Sequence, residues 1–285
     1  MAQLIDGKLI SAQIKAEVAE EAAALKEKGI EPCLAVVLVG DNSASKVYVN
    51  NKKKACEAVG IKSVSYELAG DTEEDALLKL IDELNADASV HGILVQMPVP
   101  KQIEEKKVIL AIRPEKDVDC FHPINVGYLH TGSKGFLPCT PAGIIELIKR
   151  SGHSIEGKNC VIIGRSNIVG KPVAMLLMQE NGTVTICHSK TKDLAGICHG
   201  ADIIVSATGK VNTVTADMVK EGAIIIDVGM NRNAEGKLCG DVDFENVKEI
   251  AGAITPVPGG VGPMTIAMLM KNCITAAKIQ NHLNI

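Results

Sequence analysis

Helical and strand-like hydrophobic patterns alternate along almost the whole chain. Residues 34–39 form a continuously apolar run that ends at Gly40, which is typical of a strand buried on both faces. Residues 11–28 instead repeat their apolar positions at helical spacing and stop at Gly29. Because strand-like runs alternate with helical stretches, we expect parallel sheets with right-handed crossovers, and therefore an α/β fold.

The same reading predicts the remaining elements. Helices are predicted over residues 44–59, 72–85, 101–113, 141–150, 171–180, 191–199, 215–220 and 263–281. Strands are predicted over residues 63–68, 91–96, 160–163, 183–187, 202–206 and 223–228. Residues 117–140 follow neither period and predict a long irregular connection, which in a compact chain is functional or marks a domain junction.

This interruption divides the alternation into two halves, and 285 residues suffice for two cores. We predict two α/β domains with a cleft between them, the second being a Rossmann-like parallel sheet. Residues 1–140 and 263–285 form the first domain, because the last helix follows a glycine-rich turn and packs back on it. Residues 141–262 form the second domain.

Composition excludes several function classes. Lys and Arg number 30 against 34 Asp and Glu, so no basic excess exists to bind nucleic acid through its phosphates. Three Tyr, three Phe and no Trp argue against surfaces that stack on bases or carbohydrates. The chain shows neither an apolar run of about 18 residues nor a secretory signal pattern, so we expect a cytoplasmic protein without a membrane partner.

Nine cysteines without close pairs are consistent with reduced, buried apolar side chains. Two Cys-His pairs, Cys187 with His188 and Cys198 with His199, raise the alternative of a metal site. Adjacent residues of a strand point to opposite faces, however, and the spacing matches no usual zinc pattern. We therefore predict no metal site.

Residues 161–172 read as a strand, a glycine-bounded turn and the start of a helix. Gly164 and Gly170 bracket the turn, and Pro172 suits the first turn of a helix. The free amides of a helix N-terminus bind pyrophosphate, which favours a dinucleotide site. The pattern G-x-G-x-x-G is absent, so an ordinary connection between strand and helix stays an alternative.

The next predicted strand ends without the carboxylate that usually holds the ribose of NAD. Ser189 stands there instead and can donate a hydrogen bond, while Lys190 and Arg165 supply positive charge. This combination favours a 2′-phosphate and hence NADP, with a solvated loop of incidental charges as the alternative. The ends of the strands within residues 201–209 and 226–232 would line the same crevice.

The first half of the chain has candidates for chemistry on a substrate. Tyr48 and Lys52 lie four residues apart on one helical face, where a phenol and an ammonium can orient an electrophile and move protons. A solvated basic helix has the same spacing. Gln96 ends an apolar strand, and Asp119 at the long connection can accept two hydrogen bonds from an amidine-like edge, unless it serves in a turn.

Nine segments carry a resemblance to a known family. They are YVNNK (48–52), VQMPVP (95–100), PEKDVD (114–119), FHPINVG (121–127), PCTPAG (138–143), GRSNIVGKP (164–172), CHSKT (187–191), IDVGMNR (226–232) and ITPVPGGVGPMT (254–265). Together they resemble the bifunctional methylenetetrahydrofolate dehydrogenase/methenyltetrahydrofolate cyclohydrolase family nearly from end to end. The last segment is highly specific, although a plain glycine-rich turn would also let a backbone approach a ligand.

The resemblance implies an enzyme of one-carbon metabolism. Such an enzyme oxidises 5,10-methylenetetrahydrofolate with NADP and hydrolyses the methenyl product to 10-formyltetrahydrofolate in the same site. The resemblance also implies a homodimer through the second domain and a place in purine and amino-acid biosynthesis. A monofunctional dehydrogenase and a non-catalytic NADP- or folate-binding protein are the alternatives.

The resemblance further implies roles for individual residues. Lys52 would be the key catalytic residue, assisted by Gln96, with Tyr48 against the pterin and Asp119 on its amino-pyrimidine edge. Further implied folate contacts are Val95, Met97, Pro258, Gly259, Gly260, Val261 and Gly262. The implied NADP contacts are Gly164, Arg165, Ser166, Ser189 and Met230, with Arg165 and Ser189 on the 2′-phosphate.

One position departs from the family pattern. The family usually reads DVDG, whereas this chain has Cys120 after Asp119. Glycine permits a positive φ that cysteine resists, so the backbone next to Asp119 is the least predictable part of the site.

Overall fold

The computed structural model describes residues 1–133 and 135–284, and it divides into two compact units. The first unit comprises residues 13–139 together with the C-terminal residues from Ile266. The second unit comprises residues 1–12 and 140–265. Each unit is built on its own parallel sheet.

Most helices lie where the sequence predicts them, with shifted ends, but α5 and α9 are additional and the predicted helix over residues 215–220 is only a 3-10 turn. They are α1 Gly7–Glu27, α2 Ser43–Val59, α3 Glu74–Ala86, α4 Glu105–Ala111, α5 Pro123–Thr131, α6 Cys139–Arg150, α7 Gly170–Gln179, α8 Leu194–His199, α9 Phe244–Val247 and α10 Val261–Gln280. Short 3-10 turns occur at Pro114–Lys116 and Ala216–Met218.

The strands include all those that the sequence predicts and several very short ones. They are β1 Gln3–Leu4, β2 Cys33–Val39, β3 Lys62–Leu68, β4 Gly92–Val95, β5 Asn159–Ile163, β6 Thr183–Cys187, β7 Ile203–Ser206, β8 Ile224–Asp227, β9 Asn231–Arg232, β10 Leu238–Cys239 and β11 Ala253–Ile254.

The sheet of the first unit has the order β3-β2-β4, with both pairs parallel. Its central strand β2 is buried at every position, which explains the continuous apolar run in the sequence. Helix α3 packs Leu77, Ile81 and Leu84 into the same core as alternate residues of β2 and β4. Because β2 and β4 pair in parallel, with Val37 opposite Val95, their carboxyl ends lie side by side.

The sheet of the second unit has the order β1-β11-β8-β7-β5-β6, with every neighbouring pair parallel. Ile163 pairs with Cys187 on one side and with Ser206 on the other, and Ser206 pairs with Asp227. The carboxyl ends of β6, β5, β7 and β8 consequently lie along one edge. Chain order reverses at β5, and such a switch point is where open α/β sheets bind ligands. The predicted α/β class, with two domains and a Rossmann-like second sheet, is confirmed.

The N-terminus differs from the predicted domain boundary. Gln3 pairs with Ala253 in parallel, and the amide of Ile5 donates to the carbonyl of Ile254 at 2.9 Å. Residues 1–12 therefore belong to the second unit, although the pattern grouped them with residues 13–140. A two-residue strand has no readable period, and its partner lies far away in the chain.

The long connection over residues 117–140 is also more ordered than predicted, because it contains α5. The Nδ1 atom of His122 accepts the amide of Ile124 at the start of this helix, and Gly132 ends it in the left-handed conformation at φ 69°. Ile124 and Tyr128 are exposed. The helix therefore shows no amphipathic pattern in the sequence.

Within the described residues, no helix is long and apolar enough to cross a membrane.

The pairing of β1 can be tested by shortening one buried side chain. Ile5 is 1% exposed and Leu4 is 54% exposed. We expect Ile5→Ala to lower the free energy of unfolding of the second unit by about 2–5 kcal/mol, because it opens a cavity. Leu4→Ala is the matched control and should change it by less than about 0.5 kcal/mol. Urea unfolding compares the two, and equal midpoints would contradict the docking of β1.

Candidate active site

Helix α2 positions the two candidate side chains of the first unit. Its N-terminus is capped by Oδ1 of Asn42, which accepts the amide of Ser45 at 3.0 Å, and Gly60 closes it at φ 76°. Tyr48 and Lys52 lie one turn apart on this helix, as the spacing predicts. Tyr48 is 40% exposed and Lys52 is half-buried. Both side chains are thus presented from one rigid element.

Lys52 is held by an amide at the end of a buried strand. Its Nζ donates to Oε1 of Gln96 at 3.0 Å. The amide nitrogen of Gln96 donates in turn to the carbonyl of Met97 at 2.7 Å, which orients its oxygen toward the lysine. The backbone of Gln96 continues the sheet by donating to the carbonyl of Val37 at 2.8 Å. The sheet therefore determines where the lysine amine lies.

Asp119 lies in the electrostatic field of the same lysine. Burial raises the pKa of this half-buried carboxyl, and the positive charge of Lys52 opposes the rise. The thiol of Cys139 approaches Oδ1 of Asp119 at 3.9 Å. The structure thus brings together Lys52, Gln96 and Asp119, which lie far apart in the sequence.

A second carboxylate, Asp117, shapes the segment that carries Asp119. It is buried and accepts the backbone amides of Phe121 at 3.2 Å and His122 at 2.8 Å. The side-chain amide of Asn125 adds a third hydrogen bond at 2.9 Å. Asp117 therefore anchors the chain, and it leaves Asp119 as the candidate for ligand binding.

Asn272 on α10 supports this segment and was missed by the sequence reasoning. Its side-chain amide donates to the carbonyls of Val118 and Leu137, both at 2.8 Å, and the residue is 5% exposed. It thus holds the residue before Asp119 against a second stretch of chain. The available signal was a carboxamide at helical spacing from the apolar residues Met268 and Ala276, since a buried amide needs partners.

Cys120 adopts the backbone conformation that the family pattern usually gives to glycine. Its φ is 62°, and its side chain is 1% exposed. The thiol donates to the carbonyl of Phe136 at 3.3 Å, and burial raises its pKa. The left-handed conformation costs a non-glycine residue about 1–2 kcal/mol. The cysteine therefore accepts the left-handed conformation beside Asp119, and its neutral thiol is covered.

Two glycines permit the turn after β5 in the second unit. Gly164 has φ 137°, and a Cβ on it would lie 2.5 Å from the carbonyl oxygen of Ala207. A Cβ on Gly170 would lie 2.2 Å from the carbonyl oxygen of Gly164. Neither position accepts a side chain, so the predicted glycine-bounded turn is a close backbone packing.

Ser166 lies inside this turn at the N-terminus of α7. Its Oγ accepts the amides of Val169 at 3.1 Å and Gly170 at 3.3 Å. Because both bonds use the oxygen as acceptor, the hydroxyl hydrogen can still be donated to an anion. Arg165, next to it, is exposed. The turn therefore offers a hydroxyl and a guanidinium at a helix N-terminus, as a phosphate site requires.

Strand register places the other cofactor candidates at the same edge. Arg165 and Ser189 each follow by two residues the paired positions Ile163 and Cys187. Met230 follows β8 at this edge and is 57% exposed. These residues share one edge of one sheet, which is the arrangement that the sequence predicts.

The loop after β6 suits the 2′-phosphate of NADP better than the ribose hydroxyls of NAD. The amide of His188 donates to Oγ1 of Thr191 at 2.8 Å, and the amide of Lys190 donates to Nδ1 of His188 at 3.1 Å. This compact turn leaves Ser189 and Lys190 exposed. With Arg165 at the neighbouring strand end, the donors at this corner are cationic or hydroxylic, so the residues present suit NADP.

The glycine-rich segment belongs to the second unit. Within it Pro258 and Gly262 are exposed, Gly259 is half-buried, and Gly260 and Val261 are buried. A Cβ on Gly7 would lie 1.8 Å from the carbonyl oxygen of Gly260, so this loop packs tightly on the start of α1. A close backbone packing explains the glycine there.

Two of the predicted folate contacts have covered side chains. Val95 and Val261 are each 5% exposed, and Val95 belongs to the core of the first unit. Met97 is half-buried and packs against that core. Val95 and Val261 are therefore covered in this structure, whereas Met97 is partly accessible.

The Cys-His pairs do not form a ligand cluster. Cys187 and Cys198 are buried in the apolar core of the second unit. Across residues 1–133 and 135–284, no group of three or more His, Cys, Asp or Glu residues could hold a metal ion. The cysteines of this part are free thiols, and Cys239 alone among them is not fully buried.

Comparisons with known proteins match the two groups of candidate residues to two successive domain models. The family model described as tetrahydrofolate dehydrogenase/cyclohydrolase, catalytic domain, matches residues 5–119. The model described as tetrahydrofolate dehydrogenase/cyclohydrolase, NAD(P)-binding domain, matches residues 138–281.

Relatives match over nearly the whole length. A protein of Agathobacter rectalis named bifunctional protein FolD is 65% identical over 278 residues, which are 98% of this chain and 100% of that one. The crystal structure of the bifunctional enzyme FolD from Campylobacter jejuni superposes with a TM-score of 0.96 at 55% identity, covering 99% of this chain and 100% of that one.

A third similar structure contains a cofactor. The methylenetetrahydrofolate dehydrogenase-cyclohydrolase of Trypanosoma brucei, complexed with NADP and an inhibitor, has a TM-score of 0.91 at 41% identity and covers 98% of both chains. With both domain models matched in order along one chain, and with relatives of such identity over its length, the chain belongs to the tetrahydrofolate dehydrogenase/cyclohydrolase family.

Proposed function

We propose that this chain is a bifunctional enzyme of one-carbon metabolism. It oxidises 5,10-methylenetetrahydrofolate to the 5,10-methenyl form with NADP and hydrolyses that product to 10-formyltetrahydrofolate in the same site. The observation that carries the proposal is the hydrogen bond between Lys52 and Gln96, beside Asp119, in the unit matched by the catalytic-domain model. A complete lysine and glutamine pair disfavours the monofunctional dehydrogenase.

Asp119 binds the pterin in this proposal. Its carboxylate accepts two hydrogen bonds from the amino-pyrimidine edge, and donors of this kind favour its ionised form. Partial burial strengthens these bonds because less water competes for them. Tyr48 on α2 packs its ring against the pterin, and Val95 and Met97 are further folate contacts.

The oxidation requires mainly positioning from the protein. When bound, NADP supplies a nicotinamide that accepts a hydride from the methylene carbon, and the folate nitrogen lone pairs stabilise the resulting methenyl cation. No strong general base is needed for this step. Tyr48 and Asp119 fix the folate in a single orientation, and this positioning accelerates the hydride transfer.

The hydrolysis uses Lys52 as a proton carrier. Water adds its oxygen to the methenyl carbon, and the amine of Lys52 takes the proton that is released. The same ammonium then returns a proton to the folate nitrogen as the carbon–nitrogen bond breaks. The hydroxyl on the carbon loses its proton to water in that step, which leaves the formyl group on the other nitrogen. Gln96 holds the amine in place during both transfers through its 3.0 Å hydrogen bond.

The second unit holds NADP. Gly164 lets the backbone approach the pyrophosphate, and Ser166 donates its hydroxyl at the N-terminus of α7. Arg165 and Ser189 bind the 2′-phosphate at the ends of neighbouring strands. Met230 covers the cofactor from the end of β8.

We further propose that the enzyme works in the cytoplasm as a homodimer. The product 10-formyltetrahydrofolate then serves purine and amino-acid biosynthesis. Support for the dimer comes from β6, which is the last strand of its sheet and bears an exposed side chain at Ile186. An uncharged, β-branched edge strand such as this invites pairing with another chain.

The catalytic role of Lys52 is tested by Lys52→Met. We expect the hydrolysis of methenyltetrahydrofolate, followed by its absorbance, to slow by about 10²–10⁴-fold, because the proton carrier is lost. The dissociation constant for NADP should not change. Lys53→Met, at an exposed position of the same helix, is the control and should keep wild-type rates.

Two results would contradict these assignments. Hydrolysis retained in Lys52→Met would show that another group carries the proton. A wild-type chain that neither reduces NADP with methylenetetrahydrofolate nor consumes the methenyl compound would overturn the proposed function itself.

The role of Arg165 is tested by cofactor preference. Arg165→Ala should lower the ratio of kcat/KM for NADP to that for NAD by about 10–100-fold, because a charge-assisted bond to the 2′-phosphate is lost. Activity with NAD should stay constant. Lys158→Ala removes an exposed charge at the opposite end of β5 and is the control. An unchanged ratio in Arg165→Ala would refute the assignment.

The proposed dimer is tested by placing a charge on its edge strand. Ile186→Lys should shift the chain from dimer to monomer in light scattering, because a charged edge strand resists pairing. Leu110→Lys, at another exposed apolar position on α4, should leave the dimer intact. A monomeric wild-type chain, or a dimeric Ile186→Lys variant, would rule out this interface.

A further inference from the structure

A buried carboxylate, Asp241, organises the turn that follows β7. The residue is 0% exposed. Its Oδ2 accepts the amide of Thr208 at 2.6 Å, the hydroxyl of Thr208 at 2.9 Å, and the amide of Gly209 at 3.3 Å. Its Oδ1 accepts the amide of Lys210 at 3.0 Å, and the hydroxyl of Ser206 donates to Oδ2 at 3.1 Å. Three successive backbone amides thus converge on one internal anion, as in an anion-binding nest.

The same carboxylate also holds the turn after β8. The side-chain amide of Asn231 donates to Oδ1 of Asp241 at 2.8 Å and to the carbonyl of Gly240 at 3.0 Å. Asn231 directly follows Met230, which is exposed at the cofactor edge. Asp241 therefore links the turns at the ends of two neighbouring strands.

Two glycines make room for this arrangement. A Cβ on Gly229 would lie 2.2 Å from Oδ1 of Asp241, and one on Gly240 would lie 1.8 Å from Oδ2 of Asp227. Asp227 in turn accepts the backbone amides of Gly229, Asp241 and Val242, each at 2.9 Å. Two adjacent carboxylates are costly to bury, and here backbone donors compensate for the cost.

The turn that Asp241 holds, residues 207–210, packs directly against the candidate phosphate-binding turn at Gly164. Gly164 packs so closely on Ala207 that no side chain fits between them. Ala207 directly precedes the three amides that Asp241 binds, and its own amide donates to the carbonyl of Ile163 at 2.8 Å. A shift of residues 207–210 would therefore displace Gly164.

We propose that Asp241 is a positioning residue for NADP. It holds the turns after β7 and β8 in the shape that receives the cofactor before the cofactor arrives, so that binding need not order them. The inference rests on the proposed NADP-dependent function and extends it to a side chain that does not touch the ligand. An asparagine at this position keeps the shape but replaces one acceptor oxygen with a donor, which faces amide hydrogens.

The test measures NADP binding to the whole chain by calorimetry. Asp241→Asn should raise the dissociation constant for NADP at least about tenfold, since a bond to a charged acceptor is lost. It should raise KM for NADP more than it lowers kcat, and hydrogen exchange at residues 207–210 should become faster. Hydrolysis of methenyltetrahydrofolate, which depends on Lys52 in the other unit, should stay within about twofold.

Asp243→Asn is the matched control, because it makes the same change two residues away. Its carboxylate bonds the side chain of Asn246 at 2.7 Å, and NADP binding should stay at the wild-type level. If Asp241→Asn does not fold, Asn231→Ala decides, because it removes one link to the carboxylate and should also weaken NADP binding.

The outcomes separate this inference from the proposed function. An unchanged dissociation constant in folded Asp241→Asn, or in Asn231→Ala where the first variant does not fold, would overturn the positioning role alone. A wild-type chain that binds NADP but shows neither activity would overturn the proposed function alone. A wild-type chain that binds no NADP would overturn both.

Discussion

Parallel strand pairing is the constraint on which the candidate sites depend. A parallel sheet delivers the carboxyl ends of its strands to one edge, so side chains that follow different strands meet there. In the first unit this brings Gln96, after β4, to Lys52 on the helix that follows β2. In the second unit it places Arg165 and Ser189 at neighbouring strand ends. Antiparallel pairing of the same strands would send them to opposite edges.

Each unit then uses buried polar groups to shape the loops at its edge. Asp117 receives backbone amides and so directs the segment that carries Asp119. Asp241 does the same for the turns after β7 and β8. A carboxylate is suited to this task because it accepts several hydrogen bonds at once, and each is stronger than a bond between neutral groups. These hydrogen bonds hold loop segments that lack regular secondary structure of their own.

The local sequence pattern was sufficient to predict elements that are buried on both faces and turns in which glycines pack closely. The apolar run of β2 and the glycine-bounded turn at Gly164 both follow from short-range sequence. Helix α5 escaped prediction because its apolar residues Ile124 and Tyr128 face outward, so no periodicity marks it. The strand β1 escaped because two residues have no period and their partners, Ala253 and Ile254, lie near the other end of the chain.

By itself the sequence determined the α/β class and the presence of two domains, because these depend on periodicity. Through its family motifs it also singled out Lys52, Gln96 and Asp119 as candidates, because motifs depend on residue identity. Tertiary structure alone decided that residues 1–12 join the second unit and that Cys120 accepts a positive φ. It also decided that the buried Asn272 and Asp241 hold the loops. Those outcomes depend on contacts and hydrogen bonds between groups that are far apart in the sequence, and no local pattern predicts such contacts.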